Sequence, residues 1–147
     1  ADKEKNPSYR KKSIHALSSG RILAFGRLEE WRMGVCAQRI GDEAAARLAA
    51  SVAAYGLGAA LEDIFSPTRG SADAAFARQV AMYLCHVAFN LSLARVAVAF
   101  GRDRTTVTHA CHAVEDKRED ERFDHWIGAL EAMLQNPPAP GLQGLAS

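Results

Sequence analysis

The sequence has little that would place it in a membrane or outside the cell. It lacks a run of about eighteen apolar residues, the length that spans a bilayer, and it shows no pattern typical of a secretory signal peptide. Its three cysteines are odd in number and widely spaced, which fits reduced thiols better than a disulfide framework. We therefore expect a cytoplasmic protein with no membrane partner.

The signatures of catalysis and of cofactor binding are also missing. There is no phosphate-cradling Gly-x-x-x-x-Gly-Lys-Ser/Thr run, no Gly-x-Ser-x-Gly elbow and no dinucleotide fingerprint. A set of cysteines and histidines invites comparison with a zinc site, but its spacing matches no common ligand pattern, so buried thiols and surface histidines explain it better. The set comprises Cys85, His86, His109, Cys111 and His112. We therefore expect no enzyme, no cofactor and no metal.

Positive charge is scarce for a protein that would bind nucleic acid, since the net charge is only +1. Residues 1–40 nonetheless carry nine Lys or Arg against four Asp or Glu, whereas acids concentrate between Glu115 and Asp124. Because phosphate neutralisation drives non-specific affinity for DNA, a monomer would bind DNA only modestly. A homodimer or a protein partner is the natural way to add contacts.

Periodic apolar residues predict an all-α fold of about six helices with an extra N-terminal helix, and one of the six covers 74–88. After it, Ser92 to Gly101 is a short helix, because serine accepts backbone N–H bonds at a helix start and glycine tolerates the left-handed conformation that ends a helix. Another helix follows from Asp103, its predicted N-cap. Two short capped helices joined by a glycine turn are typical of a helix-turn-helix.

The second helix of this pair begins with side chains suited to reading base edges. Arg104, Thr105 and Thr106 follow Asp103 in its first turn. Arginine can form two hydrogen bonds with guanine, a carboxylate can accept one from cytosine N4, and threonine can bond or offer its methyl group to thymine. An ordinary amphipathic helix with a capped start would show the same periodicity, so this segment alone leaves both interpretations open.

Four segments in a fixed order resemble one known family. They are Ala77–Leu84, Ser92-Leu93, Ala99–Gly101 and Arg102–Cys111. Together they are similar to the C-terminal DNA-binding domain of the bacterial replication initiator DnaA. That family's pattern is an Arg-Gln-Ala-Met helix, a Ser-Leu helix that ends in Phe-Gly-Gly, and Arg-Asp-His-Thr-Thr-Val-x-His-Ala. The resemblance covers roughly Ala44 to Leu134 and implies that double-stranded DNA is the partner.

The resemblance also implies roles for individual residues. Asp103, Thr105 and Thr106 face bases and nearby phosphates in the major groove. Arg78 and His109 hold phosphates on either side.

The remaining candidates include the places where the sequence departs from the family. Ser92 anchors the first helix near the DNA backbone. Arg104 stands where the family usually has histidine, and one glycine is missing before Arg102. In the family, the loop before the Arg-Gln helix is rich in arginine and inserts one arginine into the minor groove. Here that loop offers only Arg69. The candidate DNA-binding residues are therefore Arg69, Arg78, Ser92, Arg102, Asp103, Arg104, Thr105, Thr106 and His109.

The expected organisation is a single domain with an arm and a tail. Residues 1–17 form a basic flexible arm, and residues 135–147 a Pro-rich disordered tail. The α-helical DNA-binding domain spans 18–134, with the helix-turn-helix at about 92–118 and a final helix from about Phe123.

The N-terminal part of that domain is expected to contain three helices. The first runs from Ser18 or Ser19 to about Arg39, and its Phe25 and Trp31 either pack on the core or meet a second subunit. The second covers Asp42 to Tyr55, with Asp42 as N-cap, and the third is a short turn of helix from Leu61 to Phe65.

The function implied by the resemblance is sequence-specific transcription regulation. Stand-alone domains of this kind occur in regulators, including activators of gene-transfer-agent clusters that work with a partner contacting RNA polymerase. Because the ATPase signature is absent, we do not expect an ATP-driven initiator. A replication modulator that occupies initiator boxes is an alternative, and so is a protein-interaction module that kept the fold but lost DNA binding. A DNA-binding role also implies association with the nucleoid.

Overall fold

The computed structural model describes the backbone of residues 21–136 and the side chains of residues 30–136. That part of the chain contains six α-helices and no strand, which confirms the all-α class. The helices are α1 (Arg21–Leu57), α2 (Leu61–Phe65), α3 (Ala72–Ala88), α4 (Leu93–Phe100), α5 (Arg104–Lys117) and α6 (Glu121–Gln135). The predicted arm, residues 1–17, and the tail after Asn136 lie outside the described residues.

The first helix is continuous where the sequence predicts two helices. Gly41 does not break it, because an isolated glycine costs a helix only about 1 kcal/mol. Asp42 is not an N-cap either: it is buried inside α1, and its carboxylate accepts hydrogen bonds from Nε and Nη2 of Arg95, at 2.9 and 2.5 Å. An acid next to a glycine resembles a helix start, but here the acid serves a tertiary ion pair.

The chain divides into two compact units, residues 1–37 and 38–147. Of the first unit, the structure describes only a part of α1, in which the side chains of residues 30–37 are all exposed. Trp31 is 65% exposed and so belongs to no core among the described residues. The side chain of Phe25 lies outside them.

Helix α3 is the centre of the second unit. It packs against α2, α4, α5 and α6, and its apolar face is fully buried. Each such aliphatic side chain stabilises the fold by roughly 1.5–3 kcal/mol. Small residues of α1 allow close packing, and a Cβ atom on Gly56 would lie 2.9 Å from the Trp126 ring of α6. The core includes Ala46, Ala49, Ala50, Ala53, Val80, Leu84, Val96, Val107, Val114 and Ile127.

Helix α4 has the predicted capping residues at both ends. Ser92 Oγ accepts a hydrogen bond from the backbone N–H of Arg95 at 3.3 Å, which confirms the N-cap of α4. Gly101 adopts a left-handed φ of 60°, and the next N–H, that of Arg102, donates to the Ala97 carbonyl at 2.9 Å. This closure satisfies the last carbonyls of α4 and starts α5 two residues later.

Arg118 fixes the other end of α5. Its guanidinium donates to the Asp124 carboxylate at 2.5 Å, to the Tyr83 hydroxyl at 2.6 Å and to the Glu131 carboxylate at 2.7 Å. Burial alone would lower the pKa of Arg118, but the hydrogen bonds to Asp124 and Tyr83 outweigh it and raise that pKa. The C-terminus of α5 is therefore tied to α3 through Tyr83 and to α6 through Asp124 and Glu131.

Candidate nucleic-acid interface

Helix α5 presents a polar first turn on a buried apolar base. Arg104, Thr105 and Thr106 are exposed, and so is His109 one turn further along. The opposite side of the helix is buried against the core through Val107, Ala110, Cys111 and Val114. This division follows from the helical period, because residues three or four apart share a face.

Asp103 occupies the N-cap position of α5 but does not cap it with its side chain. Its φ and ψ of −72° and 148° are those of an N-cap, yet its carboxylate accepts no capping hydrogen bond. The predicted position is therefore right and the predicted hydrogen bond is wrong. Asp103 is exposed, so the carboxylate faces outward with the first turn of the helix.

A loop over residues 66–71, here called the 66–71 loop, lies between α2 and α3 and is held from below by Arg78. Arg78 is only 7% exposed. Its guanidinium donates to the carbonyls of Asp63 and Ile64 at 2.7 Å each, at the end of α2. It also donates to the carbonyls of Thr68 at 3.2 Å and Arg69 at 3.5 Å, in the loop itself. Carbonyls at a helix end and in an irregular loop need partners from outside the helix, and the arginine supplies them.

This geometry differs from the role that the resemblance implies for Arg78. The family resemblance makes it a phosphate ligand, whereas the structure directs its donors into the protein. Burial, and then the neighbouring charge of Arg102, lower the pKa of Arg78, while Asp63 opposes that shift.

Arg102 holds the same loop from the other side. Its guanidinium donates to the carbonyl of Pro67 at 3.3 Å and to that of Ser66. Arg102 immediately precedes Asp103, so the 66–71 loop is tied directly to the start of α5. Arg102, for which the resemblance implies a DNA contact, is half-exposed and contacts the loop in this structure.

An open groove of about 570 Å³ lies between the 66–71 loop and the N-terminus of α5. Arg69 is exposed at its edge, and Asp103 and Thr106 line its other side. The groove is polar, with three arginines around it. The N-terminus of α5 adds partial positive charge, because unpaired N–H groups and the helix dipole point outward there. The groove is therefore suited to an anionic ligand.

Two further candidates lie outside this groove. Ser92 is exposed, but its hydroxyl already serves as the N-cap of α4. His109 is exposed on α5, one turn beyond Thr105. The structure thus brings Arg69, Asp103 and Thr106 together and places His109 and Ser92 on neighbouring surfaces.

Two of the three thiols, those of Cys85 and Cys111, are buried. No group of three His, Cys, Asp or Glu side chains in residues 30–136 is arranged to hold a metal ion. Burial raises the pKa of Cys85 to about 12 and that of Cys111 to about 11. Both thiols are therefore core groups.

None of the helices in the described part of the chain is long and apolar enough to cross a bilayer.

The contact of Arg78 with the 66–71 loop could not be predicted from the sequence. Arg78 lies between Ala77 and Val80 in an apolar helix, where a single charge is typical of a surface position. Its partners are backbone carbonyls nine to fifteen residues earlier, and backbone atoms leave no mark on side-chain patterns. The only signal in the sequence is an arginine among buried positions.

Known proteins are similar to this chain over the region that contains the helix-turn-helix. Residues 47–114 match the family model described as bacterial dnaA protein helix-turn-helix. The chromosomal replication initiator protein DnaA of Aquifex aeolicus is 45% identical over 73 residues, which are 48% of this chain and 18% of that protein. The same protein of Laribacter hongkongensis is 44% identical over 78 residues, which are 52% of this chain and 16% of that protein.

A solved structure extends the similarity beyond the helix-turn-helix. It is described as the crystal structure of DNA replication initiation factor, and it superposes with a TM-score of 0.62 at 30% identity. The superposition covers 75% of this chain and 35% of that one. The chain spans less than a fifth of the length of the curated relatives it matches. The comparisons confirm the resemblance to the DnaA C-terminal DNA-binding domain, and the family model places it at residues 47–114.

Proposed function

We propose that this chain, whose residues 47–114 form a helix-turn-helix domain of the bacterial DnaA type, binds double-stranded DNA by sequence and regulates transcription. One observation carries the proposal: the exposed first turn of α5 presents Arg104, Thr105 and Thr106 beside a polar groove edged by Arg69. The buried apolar face of α5 and the hydrogen bonds of Arg118 fix this helix to the core, as a groove-reading helix requires.

The exposed groups divide by the chemistry they offer. Arg104 and Thr105 read base edges in the major groove, with Asp103 and Thr106 beside them. His109 and the N-terminus of α4 near Ser92 contact phosphates, which position the protein without specifying bases. Arg69 approaches the adjacent minor groove from the 66–71 loop.

Binding by sequence at a promoter is the step through which we propose that the chain regulates transcription. With a net charge of +1, the chain makes few phosphate contacts as a monomer. We therefore propose that it acts as a homodimer or together with a protein partner, such as one that contacts RNA polymerase. Its site of action is then the nucleoid.

Selection of binding sites from random duplex DNA tests the proposal. The wild-type chain should enrich one motif, and its affinity should fall log-linearly with salt. The double variant Arg104→Ala, Thr105→Ala should fold normally and lose the motif, because each good base contact contributes roughly 1–3 kcal/mol to discrimination. Failure of the wild type to enrich any motif, with no salt-dependent binding, would instead favour a protein-interaction module.

Two matched variants control for charge. Arg122→Ala removes an exposed arginine at the start of α6, outside the proposed interface, and should leave the motif intact. His109→Ala should weaken binding to all sequences about equally, as expected for a phosphate contact. A loss of preference at a single base position in His109→Ala would assign this residue to base reading.

A replication modulator is the second candidate, because the curated relatives named above are replication initiators at 44% and 45% identity. Mapping bound sites in cells distinguishes the two functions. A regulator occupies promoters, and its deletion changes transcript levels there. A modulator occupies sites at the replication origin, and its deletion changes the copy-number ratio of origin to terminus.

A further inference from the structure

We propose that Arg78 and Arg102 are positioning residues that set DNA specificity through the 66–71 loop and do not contact DNA themselves. The inference rests on the proposed function and deepens it. It assigns to the loop a defined conformation that two buried or half-buried guanidinium groups impose from inside the protein.

The hydrogen bonds of Arg78 are the first support. A guanidinium has five N–H donors in a rigid fork, and Arg78 directs donors to four carbonyls, two at the end of α2 and two in the loop. With 7% of its surface exposed, this side chain has little area to offer a phosphate. It instead joins the end of α2 to the residue whose side chain edges the groove.

Arg102 supplies the second support. It bonds the carbonyls of Ser66 and Pro67 while its own backbone N–H completes the cap of α4. The next residue is Asp103, at the start of α5. The loop that carries Arg69 and the turn that carries the base-reading residues are therefore fixed to each other through Arg102.

The fork geometry makes the proposal specific. A lysine ammonium can still neutralise a phosphate as a point charge, but it cannot serve four carbonyls spread along a loop. Arg78→Lys therefore keeps the charge and loses the positioning. Arg102→Lys does the same at a half-exposed site, where loss of folding is not a concern.

The test has one readout without DNA and one with it. Backbone amide order parameters of Thr68, Arg69 and Gly70 are measured by NMR on the free chain. They should fall from about 0.85 in the wild type to below about 0.6 in both lysine variants. Site selection should then show that both variants lose preference only at the base positions that Arg69→Ala also loses. The salt slope should stay unchanged, and the exposed Arg122→Lys should alter neither readout.

Two results would overturn the inference. One is an ordered loop in both lysine variants. The other is a wild-type motif in Arg78→Lys combined with a salt slope that drops by about one in Arg78→Ala, which is the behaviour of a phosphate ligand. If the wild-type chain binds no DNA, the proposed function fails and the specificity claim fails with it. The order parameters still decide whether the two arginines hold the loop.

Discussion

The carboxylate of Asp42 in α1 accepts two hydrogen bonds from the guanidinium of Arg95 in α4, at 2.9 and 2.5 Å. The acid is buried while the arginine is half-exposed, so the pair ties the first helix of the helix-turn-helix to the alanine-rich face of α1. Such two-pronged pairs are among the stronger polar contacts in proteins.

We expect Asp42→Ala to lower Tm by roughly 5 °C or more, because it leaves the Arg95 donors without their carboxylate. Glu43→Ala, at the exposed neighbouring position, should change Tm by no more than about 1 °C. Thermal unfolding followed by circular dichroism measures both. Equal effects of the two substitutions would show that the ion pair does not stabilise the fold.

Local signals predict the second half of the chain well, and non-local partners account for what they miss. The cap at Ser92, the stop at Gly101 and the exposed turn of α5 all depend on residues within one turn of each other. Asp42 resembles a cap in the sequence because its true partner lies 53 residues later. The contacts of Arg78 could not be predicted, because its partners are backbone carbonyls and a side-chain pattern does not show them.

The two glycines of α1 in the second unit should respond oppositely to substitution. A Cβ atom on Gly41 would have no neighbour within 4 Å, so Gly41→Ala should raise the free energy of unfolding by about 0.5–1 kcal/mol through helix propensity. Gly56→Ala would place its methyl group 2.9 Å from Cζ2 of Trp126, and the displaced ring should cost about 1–3 kcal/mol. Urea unfolding compares the two, and a stabilising Gly56→Ala would mean that Trp126 repacks freely.

The buried thiols should make the fold less stable in alkali. The ordinary thiol pKa of 9.0 rises to about 12 for Cys85 and about 11 for Cys111 in the folded chain. Above pH 9 the unfolded chain therefore loses protons that the folded chain keeps. The free energy of unfolding should fall by about 1.4 kcal/mol per pH unit for each thiol until its folded pKa is reached.

Urea unfolding between pH 8 and pH 10.5 checks this dependence. Cys111→Ala should make the decline less steep, although the lost packing lowers the stability at pH 8. Cys36→Ser, at an exposed position, should leave the slope unchanged. If Cys111→Ala declines as steeply as the wild type, the thiol does not carry the effect.

The last prediction concerns the residues before Gln38, where the two compact units divide. A truncated chain that begins at Gln38 should stay folded, because every buried core residue among those described lies at Asp42 or beyond. It should keep the base preference of the full chain, since all candidate DNA-binding residues remain. We expect weaker binding to full sites and a monomeric mass by light scattering, because the removed segment carries exposed apolar residues suited to pairing.

A charge-neutral variant separates pairing from the loss of basic residues. Trp31→Ala with Met33→Ala in the full chain removes two side chains that are 65% and 67% exposed and leaves the charge intact. If pairing strengthens DNA binding, this variant should be monomeric, like the truncated chain, and should bind DNA with the same weakened affinity. If it stays dimeric and binds like the wild type while the truncated chain binds weakly with a lower salt slope, the basic arm contacts phosphates. Because pairing doubles the phosphate contacts of a chain with a net charge of +1, the mass and the salt slope must change together for the homodimer to be the DNA-binding form.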